Sequence, residues 1–215
     1  LDLYLERYEA EVTASGGHVH WAETAEDARR VVLDICRKAG ARTVNKGKTM
    51  ISEECGINDH LAANGIRPVE TDLGEYIIQL RGEIPSHIIA PALHHDRGSI
   101  GDLFDRVAGG GGVEREPAAL AAHARARLRE EFLAAEVGVT GANFGVAETG
   151  SIVLVTNEGN GRLVTSLPPV HVVVMGMERL VADWHQLDLL LGLLTAAATG
   201  QPLTSDVSIT GGPRP

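Results

Sequence analysis

Cysteine is scarce in this chain, with Cys36 and Cys55 its only two thiols among 215 residues and no CxxC pair anywhere. Iron–sulfur clusters and structural zinc sites each take about four protein ligands, with cysteine the main contributor, so neither can be built from this chain alone. Cys36 falls in an apolar helical pattern and reads as a buried structural thiol. Two unpaired cysteines suit a reducing cytosol, and a cytoplasmic location is expected. Basic residues are also short, 19 Lys+Arg against 29 Asp+Glu, for a formal net charge of -10. Nucleic acid, which needs a basic footprint, is excluded as the main partner. Long apolar runs are missing too. The most apolar stretch, Leu187 to Ala198, carries Asp188 and is shorter than the roughly 20 residues a bilayer span needs. No internal repeat occurs, and no signal-peptide pattern opens the chain. It starts in mid-helix pattern and stops at "GGPRP", as expected of a piece of a longer protein.

What is present is ordinary globular composition, 44% hydrophobic and 22% charged, at a length that suits one domain over residues 1–215. Leu1, Leu5, Tyr8 and Val12 recur at helical spacing before Gly16, predicting an N-terminal helix over 1–16. "HVHWA" reads as a strand. Thr24 with Asp27 resembles a capping box opening a helix that reaches Ala39. The alternation continues through a strand "RTVNKG", a helix from Ser52 to Gly65, and strands "RPVET" and "HIIAPA". Strands alternating with helices predict an α/β fold, mainly a parallel sheet flanked by helices. Four consecutive glycines make residues 108–117 a flexible surface loop, after which Pro117 opens a long helix. Strands "EVGVT", "GSIVLVT" and "VHVVVMG" and a helix from Trp184 to Thr199 complete the pattern. That last helix is expected to pack on the core.

Four clusters carry candidate chemistry. "NKGKTM" lacks the first glycine of a phosphate-binding P-loop, but it leaves a strand and enters a helix. Lys46, Lys48 and Thr49 there could hold an anion, or form a solvated turn. "VETDLGEY" carries Glu70, Asp72 and Glu75. These suit acid/base work or a hard cation, although Asp72 and Glu75 lie at N-cap and N3 spacing and read as a capping pair. His94, His95 and Asp96 follow a strand end. Adjacent side chains point apart and offer no HxxxH or HxH spacing, so no metal is expected.

The fourth cluster is "GANFGVAETGSIVLVTNEGNGR". Gly141, Asn143, Gly145, Glu148 and Thr149 precede one apolar strand, and Asn157, Glu158, Asn160 and Arg162 follow it. A hairpin needs only a short turn, so the two polar sets point to a ligand pocket. Glu148 would be its catalytic carboxylate, as nucleophile or general base. Asn143 and the glycine backbone would donate hydrogen bonds. Arg162, with the asparagines, would hold a carboxylate or similar anion through its planar fork.

"KGKTMISEECGIN", "ETDLGEYIIQL", "PSHIIAPALH", the stretch just quoted and "SITGGPRP" together resemble the LUD domain of the lactate-utilisation iron–sulfur proteins, over essentially the whole chain. The resemblance implies a NagB/RpiA/CoA-transferase-like fold and a subunit of a complex oxidising L-lactate to pyruvate, with other lactate-utilisation subunits as partners. It implies [4Fe–4S] clusters only in a C-terminal ferredoxin-like segment that these residues do not include, hence no cofactor in this chain. "AETG" also resembles the glutamate-bearing turn of CoA transferases. Two further readings therefore stay open: an acyl- or CoA-transferring enzyme using Glu148, and a non-catalytic assembly module.

Overall fold

The computed structural model describes residues 1–84, 86, 90–156, 158–202, 204 and 206–213. The chain opens with helix α1 (Asp2–Ala14) and α2 (Ala25–Lys38), then strand β1 (Thr43–Gly47). Thr24 caps α2 as its sequence predicts: Asp27 N donates to Thr24 Oγ1 at 3.1 Å and Thr24 Oγ1 donates to Asp27 Oδ2 at 2.8 Å. Val32, Leu33 and Cys36 form the buried stripe of α2. "HVHWA" forms no strand. Its alternation is real, yet Trp21 is exposed and its Nε1 donates to Glu9 Oε2 at 3.1 Å. With no neighbouring strand to complete a ladder, alternation alone does not make one.

The helix expected over 52–65 is instead two short ones, α3 (Ile51–Glu54) and α4 (Ile57–Ala63). Gly56 sits between them at φ 66°, in the left-handed region that ends a helix. Next come β2 (Arg67–Glu70), α5 (Leu73–Arg81), α6 (Arg97–Val107) and α7 (Pro117–Ala134). The strand expected at "HIIAPA" falls partly on residues 87–89, outside the described residues, and its remainder, from Ala90 to Ala92, is turn and coil. Residues 108–116 carry no helix or strand, in line with the glycine run. β3 (Val137–Thr140), β4 (Phe144–Val146), β5 (Ser151–Thr156), α8 (Asn160–Ser166) and β6 (Val170–Val173) follow. A 3-10 turn (Met177–Arg179), β7 (Leu180–Val181), α9 (Trp184–Thr199) and β8 (Asp206–Thr210) end the described chain.

The strands make two sheets. The first has the order β2-β1-β3-β6 and is parallel throughout. Parallel ladders need both faces covered, and here they are. One face packs Val32, Leu33 and Cys36 of α2 with Ile57 and Leu61 of α4 against Val44, Val137 and Val139. The other packs Tyr76, Phe104, Leu120, Leu128 and Phe132 from α5, α6 and α7 around Val69 and Val164. Each such side chain contributes about 1.5–3 kcal/mol on burial. The second sheet, order β7-β4-β5-β8, is mixed, with β5 antiparallel to both of its neighbours. The mainly parallel α/β reading holds, and this second sheet is an addition to it, because β4 and β8 sit inside stretches read as loop or left unread. Helix α9 covers it only in part: Leu187 joins the core, whereas Leu189, Leu190 and Leu193 are exposed.

Candidate functional site

The carboxyl ends of β1, β2 and β3 converge on one edge of the parallel sheet, where open α/β sheets bind ligands. A cleft of about 350 Å³ opens there. Lys48, Thr49, Glu53, Glu70, Asp72, Glu75 and Asn143 line it, with Ala90, Pro91 and Val155 among its apolar wall. Small residues let the loops close in. A Cβ on Gly47 would stand 2.6 Å from Thr71 Oγ1, and one on Gly141 would stand 2.7 Å from the Lys48 carbonyl oxygen.

Lys46 and Glu70 are register partners across β1 and β2. Their side chains therefore share a face, and Nζ meets Oε1 at 2.8 Å with both almost fully buried. Glu53 Oε1 lies 3.3 Å from the same ammonium, and Asn58 Nδ2 donates to Glu70 Oε1 at 2.6 Å. Burial pushes the Glu70 carboxyl above its ordinary range, against the pull of Lys46. Lys46 is thus committed to carboxylates beneath the cleft, and it neither forms a solvated turn nor presents a free ammonium to an anion.

Lys48 holds φ 56°, the one positive φ of a non-glycine residue among those described. Left-handed backbone at such a residue costs of order 1–3 kcal/mol and persists where surrounding contacts over-determine it. Those contacts come from Asp72. Its Oδ2 accepts from the Lys48 N–H at 2.8 Å, and its Oδ1 pairs with Lys48 Nζ. Glu158 Oε2 adds a second contact to Nζ at 3.2 Å. Burial alone would depress the Lys48 ammonium, but the Asp72 and Glu158 carboxylates outweigh it and hold its pKa above the ordinary lysine value. Burial likewise works to raise Asp72, and Lys48 overrides it and holds the carboxyl below its ordinary range.

The capping role read for Asp72 and Glu75 is therefore corrected. Asp72 occupies the N-cap position of α5 but makes no side-chain cap bond, because the lysine offers a charge and a donor together. Glu75, in the first turn of α5, faces the cleft. Burial first, and then the nearby Asp72 charge, push its carboxyl up to about 7. That places a group able to give or take a proton near neutral pH beside Lys48 and Asn143. Asn143 is held by its Oδ1, which accepts from Val155 N at 2.8 Å.

The remaining sequence candidates divide. Thr49 lines the cleft and Glu158 reaches its lysine. Asn160 is buried at the start of α8, with Nδ2 3.4 Å from Thr71 Oγ1, just behind the Asp72 turn. Gly145 lies in β4 against Met175 and Leu180, and Thr149 Oγ1 donates to Ser151 Oγ at 2.9 Å in the β4–β5 turn. Glu148 stands in that turn as well, and its Oε2 accepts from Trp184 N at 3.3 Å, at the N-terminus of α9. A carboxylate there stabilises the helix through its dipole. Arg162 grips Asp206 with two contacts of 2.9 Å. The structure does not bring Glu148, Thr149 or Arg162 to the cleft, and Asn157 lies outside the described residues. Glu53 and the Ala90–Pro91 wall were missed. Nothing local marks them, since Glu53 is one of two adjacent acids on α3 and the wall arrives from a distant segment.

The chain resembles other proteins along its whole length. Lactate utilization protein B of Bacillus licheniformis is 47% identical over 215 residues, and that of Macrococcus caseolyticus 50% identical over 215. A protein of Escherichia coli named Uncharacterized electron transport protein YkgF is 47% identical over 214 residues. Each alignment covers 100% of this chain but 45% of the relative, so the chain spans about half the length of these proteins. A solved structure of a DUF162 family protein from Deinococcus radiodurans aligns over 98% of this chain and 88% of its own, at 14% identity and a TM-score of 0.48. The profile of the LUD domain matches residues 5–215. The chain belongs to the LUD domain family.

Proposed function

We propose that this chain is the LUD-domain part of a cytoplasmic lactate-utilisation protein. That protein would work with partner subunits in a complex that oxidises L-lactate to pyruvate. The observation that carries the proposal is identity of 47–50% along the whole chain to proteins named for lactate utilisation. The electron-transport name of the Escherichia coli relative agrees with a redox role. A [4Fe–4S] cluster takes four thiolates, and Cys36, which is fully buried, and Cys55 do not supply them. Any cluster of the full-length protein would take its thiolates from outside these residues. Among the described residues no helix is long and apolar enough to cross a membrane.

Within this reading the cleft holds a small ligand, and Glu75 is its proton donor or acceptor. Asn143 orients the ligand's polar groups. Lys48, already paired with Asp72, shapes the floor and attracts an anionic group less strongly than a free ammonium would. Loss and rescue of growth test the function. A Bacillus subtilis strain lacking its own Lactate utilization protein B, a 46% identical relative, should regain growth on L-lactate when the full-length gene is supplied. Stable expression without growth would overturn the assignment. Introducing Glu75→Gln into the rescuing gene should abolish or strongly reduce that growth with protein levels unchanged.

A further inference from the structure

Glu83, His94 and His95 form a cluster away from the cleft floor. Glu83 stands just past the end of α5, and the two histidines close the turn that precedes α6. Neighbouring side chains ordinarily diverge, which is why the sequence argues against a metal here. The turn reverses that expectation. It brings the two imidazoles together with ring centroids 4.0 Å apart and planes at 47°. Both Nε2 atoms reach one oxygen, Glu83 Oε2, at 3.0 Å from His94 and 2.8 Å from His95. One ligand atom from each of the three residues lies within 4.8 Å of the other two.

We propose that Glu83, His94 and His95 bind a divalent cation of the zinc class. Two imidazole nitrogens and one carboxylate oxygen are a donor set that borderline metals prefer, and three protein ligands leave a position open for water. Ligand atoms on tetrahedral zinc stand roughly 3.3–3.5 Å apart, so the two nitrogen–oxygen contacts of 3.0 and 2.8 Å would lengthen by roughly half an ångström to admit the ion. Its surroundings fit. Arg81 Nη1 lies 3.9 Å from the other carboxylate oxygen, Glu83 Oε1, and Arg81 is itself fixed by donating from Nη2 to Ser99 O at 2.8 Å. The guanidinium is beyond hydrogen-bond reach of Oε1, but its charge favours the ionised carboxylate and leaves Oε2 free for the metal. Asp96 is not a ligand, because its Oδ1 accepts from Ser99 N at 2.8 Å and caps α6. The ion would tie the end of α5, the helix that carries Glu75, to the segment whose Ala90 and Pro91 wall the cleft. The site is then a clip on that wall, and it stands whether or not the ligand of the cleft is lactate.

Metal uptake and thermal stability of the full-length protein test this. Protein stripped with EDTA is titrated with Zn²⁺ against a chromophoric chelator, and its melting temperature is followed with and without the metal. The wild type should bind one equivalent more than His94→Ala, and zinc should raise its melting temperature by several degrees, as ligands that bind only the folded state do. His94 is half exposed, so that variant keeps its fold without the ion. Glu83→Gln should lose the same equivalent and the same rise. Equal uptake and equal thermal response in the wild type and both variants would overturn the site, as would a wild type that takes up no stoichiometric zinc.

Discussion

Lys46 has no solvent to fall back on. Its side chain is 2% exposed and its ammonium is shared between Glu70 and Glu53. Removing one member of a buried pair strands the other, at a cost of about 3–5 kcal/mol. Lys46→Met should lower unfolding free energy by that order in urea titrations. Adding Glu70→Gln should recover a large part of the loss, since the stranded charge is then gone. A double variant no more stable than the single would refute the pairing as the cause. Glu75 gives a pH prediction of definite sign. Its carboxyl is raised from 4.5 to about 7 in the folded chain. Between those values the folded state keeps a proton that the unfolded chain has released, so its contribution to stability is present at low pH and lost as pH rises through about 7. The fall in melting temperature between about pH 5 and 8 should therefore be shallower in Glu75→Gln than in the wild type. Parallel profiles would show that Glu75 titrates where an exposed glutamate does. The acids themselves were visible in "VETDLGEY", but their duty was not. N-cap spacing is a local rule, and Lys48, which overrides it at Asp72, comes from the turn that follows β1.

Elements with a strong local cause were legible. Thr24 and Asp27 start α2, Pro117 starts α7 and Gly200 ends α9, each through a capping or backbone preference that acts within a few residues. The short ones were not. β4 has three residues and β7 two, too few for any period to register. Gly56 splits α3 from α4 by a left-handed backbone that a continuous apolar pattern conceals. The turn between β4 and β5 illustrates how such an element is held from outside. Gly150 adopts φ 65°, and a Cβ there would lie 2.5 Å from the backbone nitrogen of Val12 in α1. Gly150→Ala meets both the strain and the helix, and overpacking of this kind costs about 1–3 kcal/mol. Its distinguishing mark is location. Amide hydrogen exchange should quicken first in Asp2–Ala14, whereas uniform quickening across the parallel sheet would argue that α1 is not what the glycine accommodates.

Across the whole molecule, the parallel sheet could be foreseen because its strands and crossover helices follow one another in the chain. The second sheet could not, since its edge strand β8 joins β5 from far downstream. β8 pairs with β5 along five residues, from Ile152 with Thr210 to Thr156 with Asp206. A chain truncated after Gly200 should expose that edge of β5, a bare ladder of the kind that recruits other chains. It is expected to elute as aggregate in size-exclusion chromatography, and a monodisperse truncated chain would show that β8 is dispensable. The same connection has a consequence for how the protein is made. β5 ends at Thr156 and β8 begins at Asp206, so at about 5–20 residues per second the ribosome needs roughly 3–10 s to deliver the closing strand. For that interval each nascent chain carries an unclosed apolar edge, and neighbouring polysomes or chaperones can reach it before β8 does.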